Sequence, residues 1–467
     1  MSRNSAKILV LGAGCAGLSA AWRLARKGFK VEVFEAAPKV GGIAAGTIIN
    51  GNIFECGPHV FHAADPEIMQ DIKSIAQDSL LPFHRTIKIK FLGNYFNFPL
   101  SIADIFTKLP LSTLCSAITS FFFHSVKGLL VKPKQENSET VLIRCYGKVL
   151  YTIFFKSYIK HVWGIEPAEF SPEFARQRIP KLDVLNILEV LRSHLKLNKP
   201  KNKNVDVSKF VEKVEGELYT TKKGFSGITD KIAEEILRLG GTIQLNSKVK
   251  QIVWDKETGV KQILYQKNGE DYLEEARAVI STLPINEMIH MLRPTPEPSV
   301  MQAADKLKFR ALVFVGIVVG RTKILPSSFM YFRDLTFNRI TDLEYFGLDI
   351  FPKHGTILVA EISCNRDDVY WHDEKLAQEA VLRDLEREQL LKREEVLECY
   401  TYRLAHAYPM YTLGYEEQLH AILDFVKMMG NFKTIGRQGG FQYANAHMVI
   451  RAGYNAAEEV VDRLSQQ

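Results

Sequence analysis

Three glycines and one acid are the residues whose types and spacing point most directly to chemistry, and that chemistry is the holding of a dinucleotide. In Gly12-Ala13-Gly14-Cys15-Ala16-Gly17 the first glycine permits a tight turn, the second lets a pyrophosphate approach the backbone, and the third lets a helix pack closely on a strand. An apolar run at 7–11 precedes the turn, and a helical run at 18–27 follows and stops at Gly28, so the helix start offers unpaired N–H groups to phosphates. A second strand at 30–34 delivers Glu35, 23 residues after Gly12, where a carboxylate accepts hydrogen bonds from ribose hydroxyls and repels a 2′-phosphate. Ala16 and Ala36 stand beside these residues and are assigned to the same site.

The elements that position such a site are spread along a chain too long for one core. With 467 residues, two or three domains are expected. Hydrophobic residues at 46% and charged residues at 24% describe an ordinary globular composition and exclude wholesale disorder. The net charge of +7 suits an anionic substrate or membrane surface, although over this length it is also what a solvated surface carries. No nucleic-acid-binding module is visible. The six cysteines lack CxxC pairs and metal-ligand spacing, so no metal is expected and a reducing compartment is. The basic, apolar N-terminus resembles a secretion signal, but its removal would destroy the glycine turn, so a cytoplasmic location is expected. Residues 109–131 form the one apolar stretch that raises a membrane question. Pro110 and Lys127 leave too short an uncharged run to span a bilayer. A buried or substrate-lining helix is the plain reading, and peripheral membrane contact through Phe121-Phe122-Phe123 is the sharper one.

Beyond the first unit, 47–56 reads as a hairpin turning at Asn50-Gly51. Helical patterns run from 102 to 197, with loops at 132–138 and 167–172, and 196–205 reads as an exposed lysine-rich linker. A helix at 228–239 leads to strands at 242–245, 249–254, 261–265 and 278–281; apolar strands are expected at 309–319, 324–338 and 356–363, with a charged helix at 375–391. A strand at 432–435, the turn 436–440 and a helix at 447–464 close the chain. The predicted fold is α/β: a discontinuous Rossmann-like dinucleotide-binding domain (1–98, 220–300 and 431–467) interleaved with an α+β substrate domain, helical at 99–219 and sheet plus helix at 301–430. Only one glycine fingerprint of this quality is present.

The Gly41-Gly42 pair, the segment GFSGITDKIAEEILRLGGTIQLNSKVKQI, the strand VISTLP and the terminal GRQGG turn resemble FAD-dependent amine oxidases and protoporphyrinogen-oxidase-like proteins. The resemblance covers nearly the whole chain and implies a two-domain flavoprotein of the GR2 type. It places FAD on Gly12, Gly14, Gly17, Glu35, Gly41 and Gly42, with the Val249 backbone at the adenine. Gly436, Arg437 and the region of Met448 then meet the pyrophosphate and isoalloxazine. A narrower resemblance joins Gly57-Pro58-His59-Val60-Phe61-His62, the block YGKVLYTIFFKSYIKHVWG and Phe337-Asn338-Arg339-Ile340-Thr341-Asp342 to UDP-galactopyranose mutases and their oxidoreductase cousins. It implies Gly57, Pro58, His59 and His62 beside the flavin, Tyr158 and Trp163 in the substrate pocket, and Arg339 and Tyr443 on a substrate diphosphate. As residues of an apolar helix, Tyr158 and Trp163 are equally readable as core. The mutases' mobile-loop arginine is replaced here by Leu182, with Lys181 as the nearby cation, and Asn445 and His447 stand where carboxylates are expected.

The leading expectation is an FAD-dependent oxidoreductase in which substrate carbon gives hydride to flavin. Its catalytic candidates are His59, His62 and Arg339, with His62 as candidate base. Its substrate is a small molecule, a nucleotide sugar or other diphosphate-bearing anion. A redox-neutral sugar-nucleotide isomerase and a non-catalytic flavoprotein that binds a partner or membrane are the alternatives. An oligomer is compatible with either.

Overall fold

The computed structural model describes residues 7–62, 64–91, 93–98, 102–131, 133–178, 217–349 and 354–466. Lys181, Leu182 and the linker expected at 196–205 lie outside the described residues.

Strand β1 (Lys7–Leu11) is apolar on both faces, and it lies parallel to β2 (Val31–Phe34) on one side and to the strand Glu270–Ser281 on the other. Between β1 and β2 runs helix α1 (Cys15–Arg26), which starts at the middle of the glycine motif and ends on Arg23 and Arg26, whose charges complement the helix dipole. The sheet has eight strands, in the order Thr242–Gln244, β2, β1, Glu270–Ser281, Gly259–Lys267, Ser247–Asp255 and Leu292–Arg293, with Phe432–Thr434 also on Glu270–Ser281. That last strand does two jobs. Residues 270–275 pair antiparallel with Gly259–Lys267, while 276–281 pair parallel with β1, so one strand ties a β-meander to the Rossmann core. The closing helix Ala446–Ser465 crosses α1 so closely that a Cβ on Gly453 would stand 2.2 Å from Ser19 Oγ.

The second sheet has seven strands, ordered Val396–Pro409, Phe309–Val319, Thr356–Cys364, Arg339–Asp342, Phe329–Phe332, Ile87–Phe91 and Asn94–Asn97. Its strand Phe309–Val319, second in that order, is buried along nearly its whole length. Val313, Val315 and Ile317 pack toward helix Glu374–Arg387, and Leu312, Phe314 and Val318 belong to the core on the other face. A helical layer, including Leu111–Leu130, Ser138–Leu150 and Ser157–Trp163, completes this part. Gly147 kinks it at φ +73°, where a Cβ would lie 2.6 Å from the Phe121 backbone nitrogen.

Three sequence expectations change. The strand read at 324–338 is only Phe329–Phe332, because Pro326-Ser327-Ser328 interrupts it and a turn closed by Phe332 N–H on Asn338 O starts the next strand at Arg339. Strand Val396–Pro409 and helix Tyr415–Met428 were not anticipated. Most of that strand is half-buried on both faces, so it carries little apolar alternation to read. The short strands Leu81–Phe83 and Ile87–Phe91 likewise form by pairing with distant partners, and Asn94–Asn97 folds back on Ile87–Phe91 as a hairpin.

Candidate cofactor and substrate site

A cavity of about 560 Å³ runs from Glu35 at the end of β2, past the start of α1, to Arg339 and Tyr331 on the second sheet. Its first half is made of backbone. The N-cap of α1 is Gly14, which has no side chain to satisfy the N–H groups that follow, so the first turn of the helix offers its donors to the cavity. Gly14 has φ −75°, and a Cβ there would meet nothing closer than Gly42 Cα at 4.0 Å. Glycine at 14 is therefore not demanded by the protein's own conformation; what it leaves open is cavity. Gly12 differs, since at φ +100° its Cβ would collide with Thr282 Oγ1 at 2.3 Å. The Glu35 carboxylate is fixed by the N–H groups of Ala13 (2.8 Å) and Ala37 (2.9 Å) and keeps lone pairs for a further donor. Anion-binding N–H groups and an oriented acid at this distance fit a dinucleotide.

The second half is made of side chains brought together by sheet register. Ile89, Tyr331, Arg339, Glu361, Phe314 and Tyr402 are successive cross-strand partners and form one row across six strands. Within it Arg339 forks onto Glu361, Nε to Oε1 at 2.5 Å and Nη2 to Oε2 at 2.8 Å. Glu361 is fully buried and burial pushes its carboxyl up; burial also opposes the Arg339 charge, yet Glu361 holds the guanidinium well above its ordinary range. The pair is ionised, because a guanidinium does not surrender its proton and here donates to both oxygens. Around it stand Tyr331, Tyr408, Tyr443, Arg85 and Arg437 on the cavity wall. Arg437 donates to the carbonyls of Ala407 (3.2 Å) and Ala444 (3.4 Å) and lies 4.4 Å from the Tyr443 ring. Arg178 covers the same ring at 3.6 Å.

Beneath the cavity lies a buried acid. Glu55 is completely covered, accepts from Phe225 N–H at 2.9 Å, and presents its other oxygen 3.9 Å from His59 Nδ1 without a hydrogen bond. Burial raises Glu55 to about 8, against the lowering effects of that N–H and of Lys39, so the carboxyl is largely neutral at physiological pH. Burial, reinforced by Arg437 and Arg339, depresses His59 to about 3. His59 is thus a neutral imidazole on the cavity wall.

Among the residues expected from sequence, Gly12, Gly14, Ala16, Glu35, Ala36, Gly41 and Gly42 line the cavity. So do Pro58, His59, His62, Val249, Arg339, Gly436, Arg437 and Tyr443. Five expected residues do not. Gly17 packs α1 onto the turn, its Cβ position 1.9 Å from Gly12 O. Gly57, at φ +103°, makes room for the Arg339–Glu361 pair, since a Cβ there would lie 2.9 Å from Arg339 Nη2. Met448 points to solvent, because the closing helix turns Ala446 and Val449 toward the cavity instead. Trp163 is 2% exposed, wedged against Phe170, Phe174 and Tyr408, and is core. Tyr158 lies behind the wall, edge-on to Tyr331 at 6.1 Å. Sequence reasoning missed Glu55, Glu361, Tyr331, Tyr408 and Arg85. The one local signal was Glu55 two residues before Gly57-Pro58; Glu361, Tyr331 and Tyr408 depend on strand register, and Arg85 on the loop before Ile87–Phe91.

Comparison with known proteins places this geometry. Residues 10–75 match the family described as NAD(P)-binding Rossmann-like domain, and residues 202–461 match that described as flavin containing amine oxidoreductase. The probable UDP-galactopyranose mutase of Klebsiella pneumoniae is 25% identical over 214 residues, 41% of this chain and 54% of that protein. Protoporphyrinogen oxidase 1 of Arabidopsis thaliana is 24% identical over 319 residues, 66% of this chain and 58% of that protein. These alignments span little more than half the length of the curated relatives. A crystal structure of reduced UDP-galactopyranose mutase superposes with TM-score 0.81 at 20% identity, covering 98% of this chain and 94% of that one, which shows a shared fold.

Proposed function

Because this chain belongs to the flavin containing amine oxidoreductase family and its cofactor is FAD, we propose that it is an FAD-dependent oxidoreductase acting on a phosphate-bearing sugar of the nucleotide-sugar class. The observation that carries the proposal is the wall of Arg85, Arg339, Arg437, Tyr331, Tyr408 and Tyr443 facing the cofactor cavity. Guanidinium forks and phenol hydroxyls donate to phosphate oxygens, and Arg437 has no carboxylate partner among the described residues. The same wall disfavours protonated amines, which would enter a cationic field.

Bound flavin supplies the hydride acceptor. The chain's contribution is to orient the substrate and exclude water. Gly12, Gly14 and the start of α1 hold the pyrophosphate; Glu35 holds the ribose. Arg339, locked by Glu361, presents a rigid donor surface rather than a swinging one, which lowers the ordering cost of binding an anion. His59, neutral and lining the cavity, is able to accept a hydrogen bond from a substrate hydroxyl without bringing a charge to the site.

A second reading, redox-neutral sugar isomerisation, is supported by the similarity to a UDP-galactopyranose mutase and to a dTDP-fucopyranose mutase of Escherichia coli, 25% identical over 179 residues. Anaerobic mixing of the oxidised holoprotein with UDP-sugars and dTDP-sugars separates the two. Substrate that bleaches the flavin supports oxidation, whereas turnover that begins only after dithionite supports isomerisation. Absence of any spectral response to phosphate-bearing sugars, together with a response to amines, would sink the proposal.

A further inference from the structure

The helix Leu111–Leu130 has one face in the core and another that nothing among the described residues covers. Leu114, Ala117 and Phe121 are buried. On the opposite side Leu111 is 75% exposed, Phe123 62% and Leu130 79%, with Val126, Val131 and Phe122 also exposed. The remaining exposed positions of this face are small, Ser112, Cys115, Ser116 and Thr119, and its one formal charge is Lys127. From 105 to 135 the sequence holds no Asp or Glu. An ordinary solvated helix face carries acids and bases together, so an acid-free face with large apolar side chains toward water calls for an occupant.

The surroundings select among occupants. Beside Phe123 lies a shallow groove of about 620 Å³ with Val149 and Ile153 among its lining and Lys148 and His124 at the same site. Lys127, Lys134 and Lys148 take part in no ion pair among the described residues, whereas the nearby Glu136 is already engaged by Arg144 and Arg176. Apolar surface bordered by uncompensated ammonium groups matches the chemistry of an anionic phospholipid layer, with acyl chains against the rings and headgroup phosphates at the lysines. A second copy is a poorer match, since a two-fold contact would cover the lysines of both copies with no acid on either helix face to pair with them. No described helix is long and apolar enough to cross a bilayer. A helix of 20 residues, about 30 Å long, is instead able to lie along the interface.

We propose that the exposed face of Leu111–Leu130, with Lys127, Lys134 and Lys148, is a docking surface for an anionic membrane, on which the protein sits peripherally. The FAD-loaded full chain tests this with two vesicle preparations, phosphatidylcholine alone and phosphatidylcholine mixed equally with phosphatidylglycerol. Cys115, the exposed cysteine of the six, takes an environment-sensitive fluorophore on the same face. The expected result is flotation with the anionic vesicles and a blue shift of the Cys115 label. The triple variant Phe123→Ser/Val126→Ser/Leu130→Ser should lose ~10-fold or more of that partitioning, and Lys127→Glu/Lys148→Glu should lose the preference for anionic lipid. Both variants should keep the wild-type flavin spectrum, because none of these residues lines the cofactor cavity. Wild-type protein that stays with neither vesicle type overturns the proposal. So does a wild-type dimer that the triple serine variant converts to monomer without any vesicle binding, which would assign the face to a second copy.

Discussion

The two halves of the cavity are built by opposite means. The dinucleotide half consists of backbone: glycines that leave space, amides at the start of α1, and a single oriented acid from β2, all within residues 12–42. The substrate half consists of side chains, several of them on strands between Ile87–Phe91 and Thr356–Cys364 that register holds in one row. The difference teaches which half tolerates change. At Gly14 in the first, a side chain is an obstruction; in the second, stability is kept where the partners of a pair are exchanged together.

The sharpest way to break the comparison is Gly14→Val. The backbone at 14 is compatible with any residue and a Cβ meets no protein atom closer than 4.0 Å, so the fold should survive while FAD uptake is abolished. Circular dichroism and flavin absorbance of the purified protein check the two halves of that statement. Retention of normal flavin content would mean the pyrophosphate lies elsewhere.

Next comes the ion pair. Arg339→Met leaves Glu361 fully buried without its cation and should cost about 3–5 kcal/mol in denaturant unfolding. Adding Glu361→Met should restore most of that loss, because an apolar pair of similar volume replaces a buried ionic one. The double variant should nevertheless bind a phosphate-bearing ligand ~2–5 kcal/mol more weakly than wild type, as a charge-assisted contact is gone. Full ligand affinity in the double variant would reduce Arg339 to a structural role.

The smallest effect concerns pH. Glu55 has a folded value near 8 against an ordinary 4.5, so the folded state holds a proton that the unfolded chain releases. Its contribution to stability is complete below about 4.5 and is lost as pH rises through about 8. His59, depressed from 6.5 to about 3, acts in the other direction, with stability rising over that interval because the unfolded chain binds a proton that the folded chain does not. Glu55→Gln should remove the decline that reaches to about pH 8 and leave the rise between about 3 and 6.5, as read from unfolding midpoints across pH. It retains an oxygen to accept from Phe225 N–H and, like the neutral carboxyl, a donor group on the side of His59. An unchanged decline below about pH 8 would mean that another group titrates there.

The sequence by itself determined the dinucleotide half and the fold class. Local rules sufficed there, since a turn that needs Gly12, a helix that needs Gly17 and an acid that ends a strand are all specified by neighbours within one βαβ unit. Arg339 and Tyr443 were reached only through family resemblance, and of the residues reached by the same route the structure packs Trp163 in the core and leaves Met448 outside the cavity wall that Ala446 and Val449 line. Helical amphipathicity alone did not say which apolar face of a helix meets a ligand and which meets core. Only the tertiary structure decided that Glu361 locks Arg339, that Gly57 exists to clear that pair, and that Glu55 lies beneath His59. The physical reason is that such contacts are tertiary: a cross-strand neighbour such as Glu361 is fixed by how whole strands align, and the local sequence around Arg339 does not encode it.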